Sequence, residues 1–302
     1  MAQADDAANS SIVTPTKTPM YQAIHAERYR RQAVIREIEK RTERTLICYV
    51  SGMAALIDRD DVVPFVDLVH NVQPGKNLDL LLHTPGGDID SAEKLISLVH
   101  TTVHPGQLRI IVPDYAKSAG TLMALGASKI VMSDTSELGP IDPQIAMNDG
   151  RGNRIVHSVM SYLDAYKTHS EALQQNPNNI AAQIMLNKLE PATLKLFEAV
   201  RDRARTCAEN QLNQWMFQKK KANYTAIAAA LMDTSRWLTH GQMIGWEDAR
   251  QMELEVEYLD PRGEPWLSFW QLYCLQRLAI KDREKLFESN YASLVIDGRA
   301  GT

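Results

Sequence analysis

Short apolar runs alternate with helical patterns between residues 45 and 132, and this alternation constrains the fold more than any other feature. The runs are too short for helices and are bounded by turn residues, which predicts buried strands. Because a helical pattern separates consecutive runs, we expect parallel strands joined by right-handed crossovers in an α/β fold. The predicted strands are Thr45–Val50, Leu78–His83, Leu108–Val112 and Lys129–Met132, and the predicted helices are Val62–Val72, Asp90–His104 and Ser118–Ala127.

The remaining segments extend this core on both sides. The first residues are small, polar and include proline, which predicts a disordered leader. A charged amphipathic helix is predicted next, long helices are predicted within the second half of the core, and an aromatic helix is predicted over Trp266–Leu286. The aromatic side chains of that helix suit either core packing or an interface. The predicted divisions are a leader over 1–19, the amphipathic helix over 20–44, the core over 45–260 with a helical insertion around 155–232, and the aromatic helix and tail over 261–302.

The composition excludes several classes of protein. The chain has 302 residues and a formal net charge of −4, so no general affinity for nucleic acid follows. Its three cysteines are widely spaced and odd in number, which indicates neither a disulfide framework nor a zinc site. No apolar stretch reaches the roughly 20 residues that a membrane-spanning helix needs, and no secretory leader is recognisable. We therefore expect a cytoplasmic protein with no transmembrane segment, metal or other cofactor.

Two loops that follow predicted strands carry the chemistry. The first is His83-Thr84-Pro85-Gly86-Gly87-Asp88, where adjacent glycines let backbone N–H groups face a substrate without an intervening Cβ. In the second, Ser118 opens a helix of small residues directly after a strand and a short loop. Such a serine offers a hydroxyl, and the N–H that follows it can stabilise an oxyanion. Either loop alone is equally well explained by a tight turn or close packing, but the pair points to acyl chemistry.

The motifs resemble the Clp protease and crotonase superfamily and, within it, the serine dehydrogenase proteinase family. That family carries a His-Thr-Pro-Gly-Gly loop, a Ser-Ala/Gly-Gly-Thr loop and a Leu-Gly-Pro-x-Asp-Pro-Gln segment, which read here as His83–Gly87, Ser118–Thr121 and Leu138–Gln144. The resemblance covers roughly residues 30–260. It implies a Clp/crotonase-like spiral of β-β-α units with mostly parallel strands, and the activity of a serine peptidase.

The resemblance also implies roles for single residues. Ser118 takes the nucleophile position, and the N–H groups of Gly87 and Ala119 take the oxyanion-hole positions. Gly86 and Asp88 flank the groove in which an extended peptide would pair, and His83 supports the glycine loop.

The general base does not follow from the Clp pattern. The Clp subunit has a histidine where this chain has Asp142-Pro143, and its aspartate position falls beside Arg236-Trp237-Leu238. Signal peptide peptidase A uses a lysine instead, and Lys167 has the nearest spacing. A lysine acts as a base only when burial or nearby cations lower its pKa.

Three histidines are the alternative bases, namely His157, His169 and His240. Asp142 either orients a base or caps a turn.

Three functions stay open at this point. A serine peptidase is favoured by the Ser-Ala-Gly-Thr loop. An acyl-CoA enzyme of the crotonase type would use the same backbone oxyanion hole, and a scaffold or regulated subunit would keep the fold without a working base. Since members of the superfamily form rings, we expect a homo-oligomer whose partners are peptides or unfolded proteins, and a separate unfoldase or regulator because the chain has no ATPase motif.

Overall fold

Apolar and β-branched segments form the centre of the protein. The structure is a computed structural model that describes residues 18–148, 152–218 and 220–298. All strands predicted over residues 45–132 are present, because each is an apolar run with both faces covered. The strands are β1 (Thr45–Ser51), β2 (Leu78–His83), β3 (Leu108–Ile111), β4 (Tyr115–Ala116), β5 (Lys129–Met132), β6 (Glu137–Leu138), β7 (Gln144–Asn148), β8 (Arg154–Ser158), β9 (Val256–Tyr258), β10 (Glu284–Ser289) and β11 (Ser293–Asp297).

The main sheet has seven strands in the order β11-β10-β1-β2-β3-β5-β9. Strands β1, β2, β3, β5 and β9 are parallel to one another, and β10 and β11 are antiparallel to their neighbours. The predicted α/β fold with mostly parallel strands is therefore confirmed.

A second, smaller layer of strands lies beyond the carboxyl ends of the parallel strands. β4 pairs in parallel with β6, and an isolated bridge joins Thr84 to Ala116. Strand β3 thus continues through β4 before a helix begins, which is the predicted β-β-α unit. The loops after β2 and β3 consequently meet at one edge, where open α/β sheets bind ligands.

Helices cover both faces of the main sheet. The larger core includes side chains of the helices between Val62 and Met232, and the smaller core joins the N-terminal helix to the aromatic helix. The helices are α1 (Pro19–Ile24), α2 (Ala26–Thr42), α3 (Val62–His70), α4 (Ile89–Val103), α5 (Ala119–Leu125), α6 (Val159–Gln175), α7 (Ile180–Leu186), α8 (Pro191–Gln211), α9 (Tyr224–Met232), α10 (Trp246–Gln251) and α11 (Glu264–Arg277). A π-helical turn over Leu212–Met216 follows α8.

The C-terminal segment departs from the sequence prediction. The helix predicted over Trp266–Leu286 ends at Arg277, so the prediction is wrong beyond that residue. The residues predicted as a tail form β10, which pairs with β1 inside the sheet, and β11 at its edge. β10 escaped detection because Lys285 and Glu288 break its apolar pattern, although both side chains are fully buried as ion pairs.

The other predicted segments differ less from the structure. The helix predicted over 20–44 is present as α1 and α2 with a break at His25. Most of the predicted leader, residues 1–17, lies outside the described residues. The insertion around 155–232 begins with the hairpin of β7 and β8 and continues as α6 to α9. Among the described residues, the structure contains no helix with the length and apolar character that crossing a membrane requires.

Candidate active site

The glycine loop and the serine loop are in direct contact. The N–H of Thr84 donates to the carbonyl of Tyr115 at 3.0 Å, and the N–H of Lys117 donates to the carbonyl of Thr84 at 3.0 Å. A Cβ placed on Gly86 would lie only 2.8 Å from the Cβ of Ser118. Gly86 has φ +105°, a conformation that side chains rarely adopt, so glycine is required there by both backbone and space.

Ser118 has a strained backbone. Its φ of 52° and ψ of −115° lie outside the regions that ordinary residues occupy, and it directly precedes α5. Strain of this kind costs about 1–3 kcal/mol and clusters at functional sites. The Ser118 side chain is half-buried and its hydroxyl makes no hydrogen bond to any other described residue. In serine hydrolases, a serine on a sharp strand-to-helix turn presents its hydroxyl to the substrate.

Two backbone N–H groups beside Ser118 are not used by the fold. The carbonyl of Gly86 accepts from the N–H of Ile57 at 2.8 Å, and the N–H of Asp88 donates to the carbonyl of Ile57 at 2.9 Å. These two bonds flank Gly87, whose own N–H has no backbone acceptor among the described residues. Ala119 is the first residue of α5, so its N–H has no acceptor within the helix.

The side chains of Asp142 and His240 form a hydrogen-bonded pair. The Nδ1 atom of His240 lies 2.8 Å from Oδ1 of Asp142, whose side chain is buried. The hydroxyl of Ser158 approaches the other carboxylate oxygen at 3.4 Å. Sequence analysis named Asp142 and His240 separately, but residues so far apart along the chain gave no sign that they pair.

Lys117 joins the segments that carry this pair to the serine loop. The Lys117 ammonium group donates to the carbonyl of Leu138 at 3.1 Å and to that of Gly241 at 3.5 Å. Leu138 belongs to the segment that leads to Asp142, and Gly241 follows His240. The hydroxyl of Thr121 also lies 3.0 Å from the backbone of Gly139. The segments that carry Asp142 and His240 are therefore anchored to the residues on either side of Ser118.

The other candidate bases lie on the helical insertion. Lys167 is on α6 with its side chain 74% exposed, and its nearest carboxylate is that of Glu171 at 4.0 Å. His169 is half-buried on the same helix, and His157 is on β8, where its ring meets the edge of the Tyr162 ring. Within the described part of the chain, none of these three side chains, nor that of His240, has a hydrogen bond to Ser118 or to the glycine loop.

Asp88 and His83 stand at the two ends of the glycine loop. One carboxylate oxygen of Asp88 accepts hydrogen bonds from the N–H of Ser91 at 2.8 Å and from its hydroxyl at 2.5 Å, which caps α4. His83 is fully buried at the end of β2, with its ring 4.1 Å from that of Tyr115. Burial, followed by the positive charge of Arg277, lowers the pKa of His83 to about 3, so this imidazole is neutral at ordinary pH.

Sequence analysis missed one partner of His83. The hydroxyl of Tyr273, on α11, lies 3.4 Å from His83 and donates to Asp114 at 2.5 Å. In the sequence, Tyr273 is one of several aromatic residues in the helix predicted over Trp266–Leu286, and nothing there distinguishes a partner of His83 from a residue that fills the core.

A serine on a sharp turn between a strand and a helix, beside unused backbone N–H groups, is the arrangement in which serine hydrolases present their nucleophile. Residues 16–264 match the family of ClpP-like SDH-type serine proteinases. The match spans most of the chain, so the protein belongs to this family.

Two proteins of Methanocaldococcus jannaschii, both named as uncharacterised, are similar in sequence. MJ0137 is 26% identical over 241 residues, which cover 75% of this chain and 73% of the relative. MJ1495 is 27% identical over 254 residues, which cover 78% of this chain and 75% of the relative.

The chain also has a likeness to solved structures of a membrane-bound stomatin-specific protease, 1510-N. A lysine-to-alanine variant in complex with a substrate peptide is 16% identical, with a TM-score of 0.40 over 85% of this chain and 89% of the other. A serine-to-alanine variant is also 16% identical, with a TM-score of 0.29 over 71% of this chain and 98% of the other.

Proposed function

We propose that this protein hydrolyses peptide bonds with Ser118 as the nucleophile. The observation that carries the proposal is the contact between Gly86 and Ser118, together with the positive φ of Ser118. The positive φ of Ser118 costs strain, and the close approach of Gly86 leaves no room for a side chain, so an ordinary turn would need neither feature. In an acyl-transfer site the same features hold the nucleophile beside backbone donors.

The N–H groups of Gly87 and Ala119 are proposed as the oxyanion hole. When Ser118 Oγ attacks the scissile carbonyl, negative charge develops on the carbonyl oxygen, and preorganised donors stabilise it. Both N–H groups are left without backbone acceptors by their neighbours, so neither would have to break a bond in the fold to bind the oxyanion.

His240 is proposed as the general base, oriented by Asp142. Asp142 occupies the position of the Clp histidine, and His240 follows the stretch in which Clp has its aspartate, so the two residue types would have exchanged places. In this arrangement Nδ1–H of His240 donates to Asp142, and Nε2 takes the proton of the Ser118 hydroxyl. The same proton then passes to the leaving amine, and water releases the acyl group from Ser118.

Lys167 is the competing base. We expect His240→Gln to lower kcat/KM for a peptide substrate by about 10²–10⁴-fold, and Lys167→Met to change it by less than about 3-fold. The reverse ranking would move the role of the base to Lys167. Asp142→Asn tests the pair separately and should also lower kcat, because an amide cannot stabilise the imidazolium that forms.

Cleavage of unstructured casein tests the activity itself. Wild-type protein should cleave it, and Ser118→Ala should not. Hydrolysis of an acyl-CoA thioester without casein cleavage would favour the crotonase type of enzyme. The absence of both activities would favour a scaffold.

The proposed substrates are extended or unfolded polypeptides, since a peptide backbone can pair with the strand-like edge beside the glycine loop. A ring-like homo-oligomer and a separate unfoldase or regulator complete the proposal. Exposed apolar side chains on β8 and α7, including Val156, Ile180 and Ile184, offer surface for contacts between subunits. Sedimentation equilibrium should then give a mass of several subunits.

A further inference from the structure

A fully buried lysine, Lys285, lies on strand β10 inside the main sheet. The side chain of Lys285 is 0% exposed, and its Nζ atom lies 2.6 Å from Asp61 Oδ1 and 3.1 Å from Asp58 Oδ2. The hydroxyl of Tyr49 donates to the other oxygen of Asp61 at 2.8 Å. Burying a charged lysine is costly unless partners surround it, so this cluster fixes its own geometry tightly.

The cluster holds the turn that precedes α3. Asp61 Oδ2 accepts from the backbone N–H of Asp58 at 3.0 Å, and Asp58 Oδ1 accepts from the N–H of Asp60 at 2.9 Å. The Lys285 ammonium group donates to the carboxylates of both Asp58 and Asp61. The position of Asp58 therefore depends on a cation that lies 227 residues further along the chain.

The residue before this turn is bonded to the glycine loop. Ile57 donates its N–H to Gly86 at 2.8 Å and accepts from the N–H of Asp88 at 2.9 Å, and it forms a parallel bridge with Gly87. A Cβ on Gly87 would overlap the backbone of Ile57, so the two segments are as close as they can be. The direction of the Gly87 N–H is therefore set by where Ile57 lies.

We propose that Lys285 is a positioning residue for the oxyanion hole, acting through Asp58, Asp61 and Ile57 on the N–H of Gly87. This inference rests on the proposed peptidase function, because the oxyanion donor matters only if Ser118 forms an acyl intermediate. Lys285 touches no reacting atom in this account. It keeps the glycine loop at the distance from Ser118 that transition-state stabilisation needs, since small misplacement of such donors greatly reduces the rate.

The test compares two buried ionic residues on the same strand. Lys285→Met removes the cation of the cluster, and Glu288→Gln is the matched control. Glu288 is also 0% exposed, but it pairs with Arg31 of α2 and, among the described residues, has no hydrogen bond or ion pair to the glycine loop. Lys285→Arg restores the charge, and Asp58→Asn weakens the cluster at its 25% exposed end, which provides a milder variant if Lys285→Met does not fold.

The first readout is independent of activity. Amide hydrogen exchange over residues 84–88 should become faster in Lys285→Met or Asp58→Asn and stay as in the wild type in Glu288→Gln. Equal exchange in all variants would overturn the inference even if the protein is not a peptidase.

The second readout is the split between kcat and KM for a peptide substrate. Loss of one oxyanion donor predicts a fall in kcat of about 10²–10³-fold for Lys285→Met, with KM within about 3-fold of the wild type. Lys285→Arg should recover part of the loss, and Glu288→Gln should keep wild-type kcat. An equal loss of kcat in Lys285→Met and Glu288→Gln would show a general effect of destabilisation and overturn the inference. Absence of Ser118-dependent activity in the wild type would refute the proposed function instead, and hydrogen exchange would still decide the role of Lys285.

Discussion

Substitution of Gly86 by alanine perturbs the contact on which the proposed site depends. Gly86 has φ +105°, and its added methyl group would lie 2.8 Å from both the Lys117 carbonyl oxygen and the Ser118 Cβ. The Lys117 backbone cannot move freely. The Lys117 carbonyl accepts from the N–H of Gly120 at 2.8 Å, and the Lys117 N–H is bonded to Thr84.

The expected magnitude has two parts. The unfavourable backbone conformation lowers the free energy of unfolding by about 1–3 kcal/mol. Displacement of the Lys117 carbonyl weakens one backbone hydrogen bond, which costs about 1 kcal/mol more. Relief of the overlap moves the glycine loop away from Ser118, and loss of one oxyanion donor lowers kcat by about 10²–10³-fold, equivalent to about 3–4 kcal/mol.

Gly75→Ala is the matched control. Gly75 also has a positive φ, of 77°, but its added methyl group would meet only Pro105 Cδ at an ordinary contact distance of 3.5 Å. We expect a similar backbone cost, about 1–3 kcal/mol, and a kcat within about 3-fold of the wild type. Chemical denaturation gives the stabilities, and the second-order rate of fluorophosphonate labelling together with casein cleavage gives the activities. The reasoning is refuted if Gly86→Ala labels and cleaves as fast as Gly75→Ala.

The remaining predictions concern the fold around the site. Burial lowers the pKa of His100 from its ordinary 6.5 to about 4, so the unfolded chain binds a proton that the folded one does not as the pH falls below 6.5. The difference between the pKa of His100 in the unfolded and the folded chain corresponds to about 3 kcal/mol of folding stability, lost as the pH falls from 6.5 to 4. His100→Phe, which keeps a ring to stack on Trp215, should flatten the profile in urea titrations over this range, and an unchanged slope would contradict the assignment. Phe287→Ala on β10 should lower the free energy of unfolding by about 3–5 kcal/mol, because the ring is fully buried. Leu294→Ala on the edge strand β11, where the side chain is 37% exposed, should lower it by less than about 2 kcal/mol, and equal losses would argue against the position of β10 inside the sheet.

The main sheet and the two loops could be predicted because their signals are local. Apolar runs between turn residues identified β1, β2, β3 and β5, and small residues after two of these strands identified the glycine and serine loops. The Gly86–Ser118 contact follows from those signals, since the carboxyl ends of neighbouring parallel strands meet at one edge.

The features that the sequence did not predict depend on pairs of residues that are distant along the chain. β10 shows no simple strand pattern, since Lys285 and Glu288 are charged and become compatible with burial only through Asp61 and Arg31. The pairing of His240 with Asp142 is equally invisible in sequence, because each residue alone has an ordinary structural explanation. Lys167 was favoured on its spacing and its amphipathic surroundings, and neither fixes the exposure of its side chain, which is 74%.

The most direct test of the account is to locate the adduct that a fluorophosphonate probe forms on the folded wild-type protein. Peptide mass mapping should find a single modified residue, Ser118, and prior unfolding of the protein should abolish the reaction, because the activation comes from the folded site. A protein that cleaves casein while its adduct maps to another residue, or forms none at Ser118, would contradict the central claim.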